Sequence, residues 1–128
     1  MEKIFYPRSI AVIGASASEK NLSRNIIKNF LDWRFEGKIY PVGSKGGKVF
    51  GMPIKLSVKD IEEEVDFFSI FVPAEKIPPL LEECGQKGIK RGIIMTGGFS
   101  EYGNEKKGLE EEILRICARY GIKFVGPN

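Results

Sequence analysis

A strand-to-helix transition near the start of the chain is the segment best suited to chemistry. Residues 9–14 form an apolar run that ends in glycine, and a helical pattern begins at Asn21. The turn between them opens with Gly14, Ala15, Ser16, Ala17 and Ser18. In nucleotide-binding α/β proteins such a turn leads into a helix whose first N–H groups and positive dipole end hold a phosphate. The sequence therefore predicts a bound anion over this turn.

A basic segment follows the first predicted helix. Residues 37–59 contain five lysines and no acidic residue, which suits a small polyanionic ligand and equally suits a solvated loop. The dinucleotide fingerprint requires two further glycines after Gly14 and a carboxylate after the second strand. Here both glycines are absent, and Lys45 stands where an NAD site would have its carboxylate. Because a lysine pairs with phosphate, the pattern favours coenzyme A (CoA) or NADP over NAD.

The elements that must position these residues alternate between strand and helix. Strands are predicted at residues 9–14, 38–42, 67–72, 91–95 and 122–125, and helices at 21–33, 74–87 and 105–120. A short extra strand or hairpin arm is predicted at 49–54, and one helical turn at 57–61. This order predicts an α/β, Rossmann-like three-layer domain with a mostly parallel five-stranded sheet, right-handed crossovers and helices on both faces. The carboxyl ends of the strands then form one rim, where the ligand binds.

Composition limits the classes of function. The chain has 128 residues, a net charge of +3 and no histidine, so it holds one domain and can carry neither histidine acid–base catalysis nor a phosphohistidine. Cys84 and Cys117 lie in helical patterns without metal-ligand spacing, and we expect both to be buried and no metal to be bound. The charge is too small to indicate nucleic acid. No apolar run approaches the roughly 20 residues of a membrane span, and no signal peptide is evident, so we expect a cytoplasmic protein.

Several segments, taken together and in order, carry a resemblance to a known family. They are residues 9–16, 37–42, 72–74 and 98–101, then Tyr120-Gly121-Ile122 and Gly126-Pro127-Asn128. In these segments the chain resembles the CoA-binding domain of NDP-forming acyl-CoA synthetases. That group includes ADP-forming acetate–CoA ligase and, more distantly, the α subunit of succinyl-CoA synthetase.

The resemblance implies a role for particular residues in binding CoA. Ser16, Ala17 and Ser18 would form the loop that wraps the phosphates, with Ser23 and Arg24 within reach. Lys45 would contact the 3′-phosphorylated ADP portion. The adenine pocket would be walled by Val72, Pro73 and Ala74, and the pantetheine arm would be guided by Met95, Thr96 and Gly97. The family often has Asn-Pro-Lys where this chain has Gly43-Ser44-Lys45.

Plainer roles for the same residues stay open. Ser16 and Ser18 would serve equally as helix-capping residues, Pro73 as the end of a strand, and Thr96 with the glycines after it as a simple turn.

The resemblance also implies an overall reaction and partners. The family interconverts acyl-CoA, ADP and phosphate with acid, CoA and ATP, and this chain would supply the CoA cradle without being catalytic alone. We expect it to be the N-terminal domain of a larger enzyme, or a separately encoded remnant, that works with phosphohistidine and ATP-grasp parts. The alternative is a stand-alone regulatory module that senses CoA or NAD. An NADP-dependent reductase is disfavoured because the chain offers no substrate domain and no evident proton donor.

Overall fold

The computed structural model describes residues 7–95 and 105–126, and its elements alternate as the sequence predicts. In chain order they are β1 (Ser9–Ile13), α1 (Leu22–Asp32), β2 (Lys38–Val42), β3 (Lys48–Val49), β4 (Met52–Pro53), β5 (Phe67–Phe71), α2 (Ile77–Lys87), β6 (Arg91–Met95), α3 (Glu105–Tyr120) and β7 (Lys123–Val125). Single 3-10 turns cover Val58–Asp60 and Ala74–Lys76.

Five of these strands form one parallel sheet in the order β2-β1-β5-β6-β7. In register, Ile13 at the end of β1 pairs with Val42 of β2 on one side and with Ile70 of β5 on the other. The chain therefore leaves β1 toward one edge of the sheet and then crosses to the opposite side of β1. In open α/β sheets this reversal leaves a crevice beyond the carboxyl ends of the strands that flank it, here β1 and β5.

Alternate residues along the strands bury opposite faces of the sheet. Ala11 and Ile13 of β1 join a core cluster with α2 and α3, whereas Ile10 and Val12 pack with Ile27 of α1. The fold thus has helices on both faces, and the predicted α/β Rossmann-like architecture is confirmed. Cys84 and Cys117 both lie in the first cluster, as buried small apolar residues do.

The extra strand or hairpin arm predicted at 49–54 is a minimal hairpin of two-residue strands, with Phe50 and Gly51 at its tip in positive φ. One predicted helix departs locally from its expected form. The helix predicted at 74–87 begins as a 3-10 turn and becomes α-helical only at Ile77. Prolines 78 and 79 follow at once, and proline fits an α-helix only in its first turn.

In the part of the chain that the structure describes, every helix is too short or too polar to cross a membrane.

Candidate functional site

A cleft of about 560 Å³ opens at the carboxyl ends of β1, β2 and β5, where the strand order reverses. Its lining comes from the segments that follow those three strands, residues 13–16, 42–45 and 71–73, together with Asn21, Leu56, Lys76, Pro79 and Leu80. The volume lies within the range of roughly 300–1,000 Å³ that small-molecule sites occupy. The fold therefore produces a ligand-sized cleft where the sequence predicts one.

The floor of the cleft depends on two glycines that bring the strand ends together. A Cβ atom at Gly14 would lie 2.2 Å from the carbonyl oxygen of Phe71, and Gly14 has a φ of +101°. A Cβ atom at Gly43 would lie 1.9 Å from the carbonyl oxygen of Ala15. Only glycine permits such approaches, so the turns after β1, β2 and β5 meet closely because both positions lack a side chain.

The turn after β1 is held by its own hydrogen bonds. The N–H groups of Gly14 and Ala15 both donate to the carbonyl oxygen of Val42, at 2.8 and 2.9 Å. The hydroxyl of Ser16 accepts from the Ser18 N–H at 3.3 Å. Because the first two N–H groups are already engaged by β2, a bound anion would depend on the Ser16 hydroxyl and on the start of α1.

The start of α1 carries a side-chain cap that faces the cleft. The Asn21 side-chain oxygen accepts from the Arg24 N–H at 2.7 Å, and its amide nitrogen donates to the Gly14 carbonyl at 2.9 Å. One residue thus caps the helix and ties it to the preceding turn. The other N–H groups of a first helical turn have no acceptor within the helix, and the first turn of α1 contains no acidic residue. The N-terminal end of α1 is therefore electrostatically suited to a phosphate.

Two lysines supply the formal charge of the cleft. Lys45 follows β2 and Lys76 follows β5, and among residues 7–95 and 105–126 no lining residue is acidic. Neither lysine has a carboxylate partner in the described part of the chain. The described lining is therefore cationic, and it lacks the acidic residue that binds the ribose hydroxyls in NAD sites.

An apolar wall faces the turn after β1. It is formed by Val72 and Pro73 after β5 and by Pro79 and Leu80 on the first turns of α2, with Leu56 at the opposite rim. The side chain of Leu56 is 63% exposed. An apolar wall in a cationic cleft suits the aromatic base of a nucleotide.

The structure brings together only part of the predicted site. Gly14, Ala15, Ser16, Lys45, Val72 and Pro73 all line the cleft. Ala17 and Ser18 are exposed just outside it, and Met95 ends β6, one strand beyond β5. Thr96 and Gly97 lie outside the described residues. Whether these six lining residues contact a ligand stays a prediction.

Ser23 and Ala74, also predicted as ligand contacts, point into the protein. Ser23 is 1% exposed, and its hydroxyl donates to the Ile13 carbonyl at 3.3 Å, so it joins α1 to β1. Ala74 is fully buried in the core beneath the turn after β5. Neither side chain lines the cleft.

Reasoning from the sequence missed several lining residues, of which Lys76 and Asn21 matter most. Lys76 stands three residues after Pro73, a spacing that places it one turn beyond the strand end. Asn21 marks the predicted helix start, and its capping residue type was the available signal. Leu56 lay in a segment without a clear pattern.

Comparison with known proteins agrees with the family resemblance seen in the sequence. Residues 8–128 match the family model described as "CoA binding domain". The chain is 45% identical over its full length to the acetate–CoA ligase [ADP-forming] I subunit alpha of Pyrococcus furiosus, and 45% identical to an acetate–CoA ligase [ADP-forming] of Methanocaldococcus jannaschii. It covers 29% of the first protein and 18% of the second.

A solved structure agrees. The apo form of acetyl-coenzyme A synthetase 1 from Ca. Korarchaeum cryptofilum superposes with a TM-score of 0.89 at 37% identity, over 99% of this chain and 27% of that one. The chain thus spans less than a third of each of these relatives. The resemblance seen in the sequence and the prediction of CoA as the cofactor are confirmed, and the chain belongs to the family of CoA binding domains.

Proposed function

We propose that this chain binds CoA in the cleft beyond β1, β2 and β5, as the CoA-binding part of an ADP-forming acyl-CoA synthetase. The observation that carries the proposal is the composition of that cleft. One side is the capped N-terminal end of α1, another is the apolar wall at Val72 and Pro73, and two lysines line the cleft with no acidic residue among its described lining residues. A diphosphate, an adenine and a further phosphate would each meet a chemically matched surface.

In this arrangement the turn after β1 and the start of α1 hold the diphosphate. The aliphatic surfaces of Val72 and Pro73 pack against the adenine. Lys45 pairs with the 3′-phosphate on the ribose, because it stands on the loop after β2 where a carboxylate would bind unmodified ribose. The chain orients CoA and excludes water from part of it, and the chain itself forms no covalent bond.

The rest of the reaction belongs to other parts of the enzyme. The chain contains no histidine, so a phosphohistidine would be supplied from outside these residues. Its relatives are much longer and are named as ADP-forming acetate–CoA ligases. We accordingly propose that the chain is the CoA-binding domain of such a ligase in the cytoplasm, and that it works with phosphohistidine and ATP-grasp parts on an acyl group.

Ligand-induced thermal stabilisation tests the proposal directly. CoA at one hundred times its dissociation constant stabilises a protein by about 2.7 kcal/mol, which raises the Tm of a domain of this size by roughly 10 °C. We expect CoA to produce this shift and NADH at the same concentration to produce much less. Stabilisation by NADH with none by CoA would contradict the proposal and favour a nucleotide-sensing module that recognises NAD.

The role of Lys45 is tested by comparing CoA with dephospho-CoA, which lacks the 3′-phosphate. Lys45→Ala should weaken CoA binding about tenfold and leave dephospho-CoA nearly unchanged. Lys48→Ala is the matched control, because Lys48 is an exposed lysine of the same basic segment that does not line the cleft. Equal weakening of both ligands by Lys45→Ala would refute the contact with the 3′-phosphate.

A further inference from the structure

The side of the cleft facing Lys45 carries a second lysine. Because β2 and β5 flank β1, the loop that carries Lys45 and the turn that carries Lys76 stand on either side of the turn after β1. Both lysines line the cleft, both are exposed, and neither is neutralised by a carboxylate in the described part of the chain. Two unopposed cations thus face one cleft from opposite sides.

Several of the described lysines have partners within the protein. Lys28 pairs with Asp32, Lys59 donates to the Gln86 side chain, and Lys87 donates to the Ile61 carbonyl. The Lys76 ammonium makes no such contact with the described residues, although its backbone is held by an N–H bond to the Pro73 carbonyl at 2.9 Å. A fixed backbone with a free ammonium group is the arrangement of a ligand-binding side chain, since little backbone ordering remains to be done on binding.

The position of Lys76 selects one phosphate. It stands one turn after Val72 and Pro73, the wall assigned above to the adenine. The diphosphate is assigned to the start of α1, and the ribose connects the adenine with the diphosphate. A phosphate on that ribose therefore lies between the adenine wall and α1, within the span that a lysine on each side can reach.

We propose that Lys76 is a second ligand of the 3′-phosphate of CoA, opposite Lys45, so that the two lysines clamp this phosphate from both sides of the cleft. The inference rests on the proposed function. It extends the proposed function by naming a specificity-determining residue on the 3-10 turn before α2, which distinguishes CoA from nucleotides without a ribose phosphate.

The test measures dissociation constants for CoA and dephospho-CoA by titration calorimetry on the 128-residue chain. Lys76→Ala should weaken CoA binding about tenfold and change dephospho-CoA binding less than about twofold. Lys76→Arg keeps the charge and should restore most of the affinity for CoA. Lys107→Ala, which removes an exposed lysine of α3 outside the cleft, should alter neither constant.

Each other outcome overturns the inference. Equal weakening of both ligands would place Lys76 at the diphosphate or in a purely structural role, and no weakening of CoA would exclude it as a ligand. The Tm of each variant without ligand shows that the fold is intact. If the unmodified chain binds CoA, the proposed function stands whatever Lys76 does; if it does not bind CoA, both proposals fail.

Discussion

The two helices that begin beside the cleft follow equivalent strands and yet present opposite chemistry. α1 follows β1, begins after Asn21 and has no proline in its first turn. α2 follows β5 and begins after Lys76, and its second and third residues are prolines. Proline has no N–H group, so the start of α2 offers fewer backbone donors than the start of α1.

Because of this difference, the positive potential comes from backbone groups at the start of α1 and from a side chain at the start of α2. At α1 the unpaired N–H groups and the helix dipole provide the positive potential. At α2 Pro79 and Leu80 provide an apolar surface, and the positive charge comes from the Lys76 side chain. A helix N-terminus beside a ligand cleft is thus an anion site only where its first residues leave their N–H groups available.

The largest effect should come from breaking the contact between the two turns. Gly14→Ala would place a Cβ atom against the Phe71 carbonyl, 2.2 Å away, at a φ of +101°. We expect the φ strain to cost roughly 1–3 kcal/mol and the overlap to add to that cost, because backbone on both sides must shift. Urea denaturation measures the loss.

Gly47→Ala is the matched control for that substitution. Gly47 has a φ of +89°, but a Cβ atom there would meet nothing within 4 Å. The two variants therefore share the φ strain and differ in the overlap. If Gly14→Ala destabilised the chain no more than Gly47→Ala, the close approach of the turns after β1 and β5 would have no energetic importance.

A charge placed at the start of α1 should affect binding more than stability. Asn21→Asp keeps an oxygen that can accept from the Arg24 N–H, but it sets a negative charge on the lining of the cleft. We expect CoA and dephospho-CoA to bind at least about tenfold more weakly, and to similar extents, because both contain the diphosphate. Calorimetric titration measures both constants.

Asn21→Ser separates charge from lost contacts in this experiment. It keeps a capping oxygen and, like Asn21→Asp, loses the amide that donates to the Gly14 carbonyl. Its effect on affinity should be clearly smaller. An Asn21→Asp variant that weakened CoA selectively would reverse the division between the helices, since selectivity for the 3′-phosphate is expected only of Lys45 and Lys76.

The sequence predicts the elements well and the cleft only in part, for reasons visible in these same helices. Apolar runs with glycine or proline ends determine strands such as β2 and β6, whose predicted bounds agree with the structure. The order of the strands in the sheet cannot be predicted in this way, because buried parallel strands have the same apolar pattern wherever they lie in the sheet. The sequence therefore predicts one rim of strand ends but not which three ends form the cleft.

Side-chain direction is the second limit. Ser23 and Ile27 stand four residues apart, a spacing that places both on one face of α1, and both are buried. That spacing was available in the sequence and disfavours a phosphate contact for Ser23. Lys76 was hidden by the continuous helix predicted at 74–87, since only the break before Ile77 shows that it belongs to the strand-end turn.

The smallest expected effect is a pH dependence of stability caused by the buried cysteine thiols of α2 and α3. Cys84 of α2 is fully buried, and burial raises its pKa far above that of a free thiol; burial also raises the pKa of Cys117 on α3 to about 11. Unfolded thiols ionise near pH 8.5, so above that pH the unfolded chain binds fewer protons than the folded chain and stability falls. Between pH 8 and 9.5, Cys84 should account for a loss of about 1 kcal/mol in the free energy of unfolding, which Cys84→Ala should remove.

Adding Asn29→Cys, an exposed position on α1, to that variant should not restore the loss, because a solvated thiol ionises alike in both states. Urea unfolding at the two pH values compares all three proteins, and a loss restored by the thiol on α1 would show that burial under α3 is not its cause.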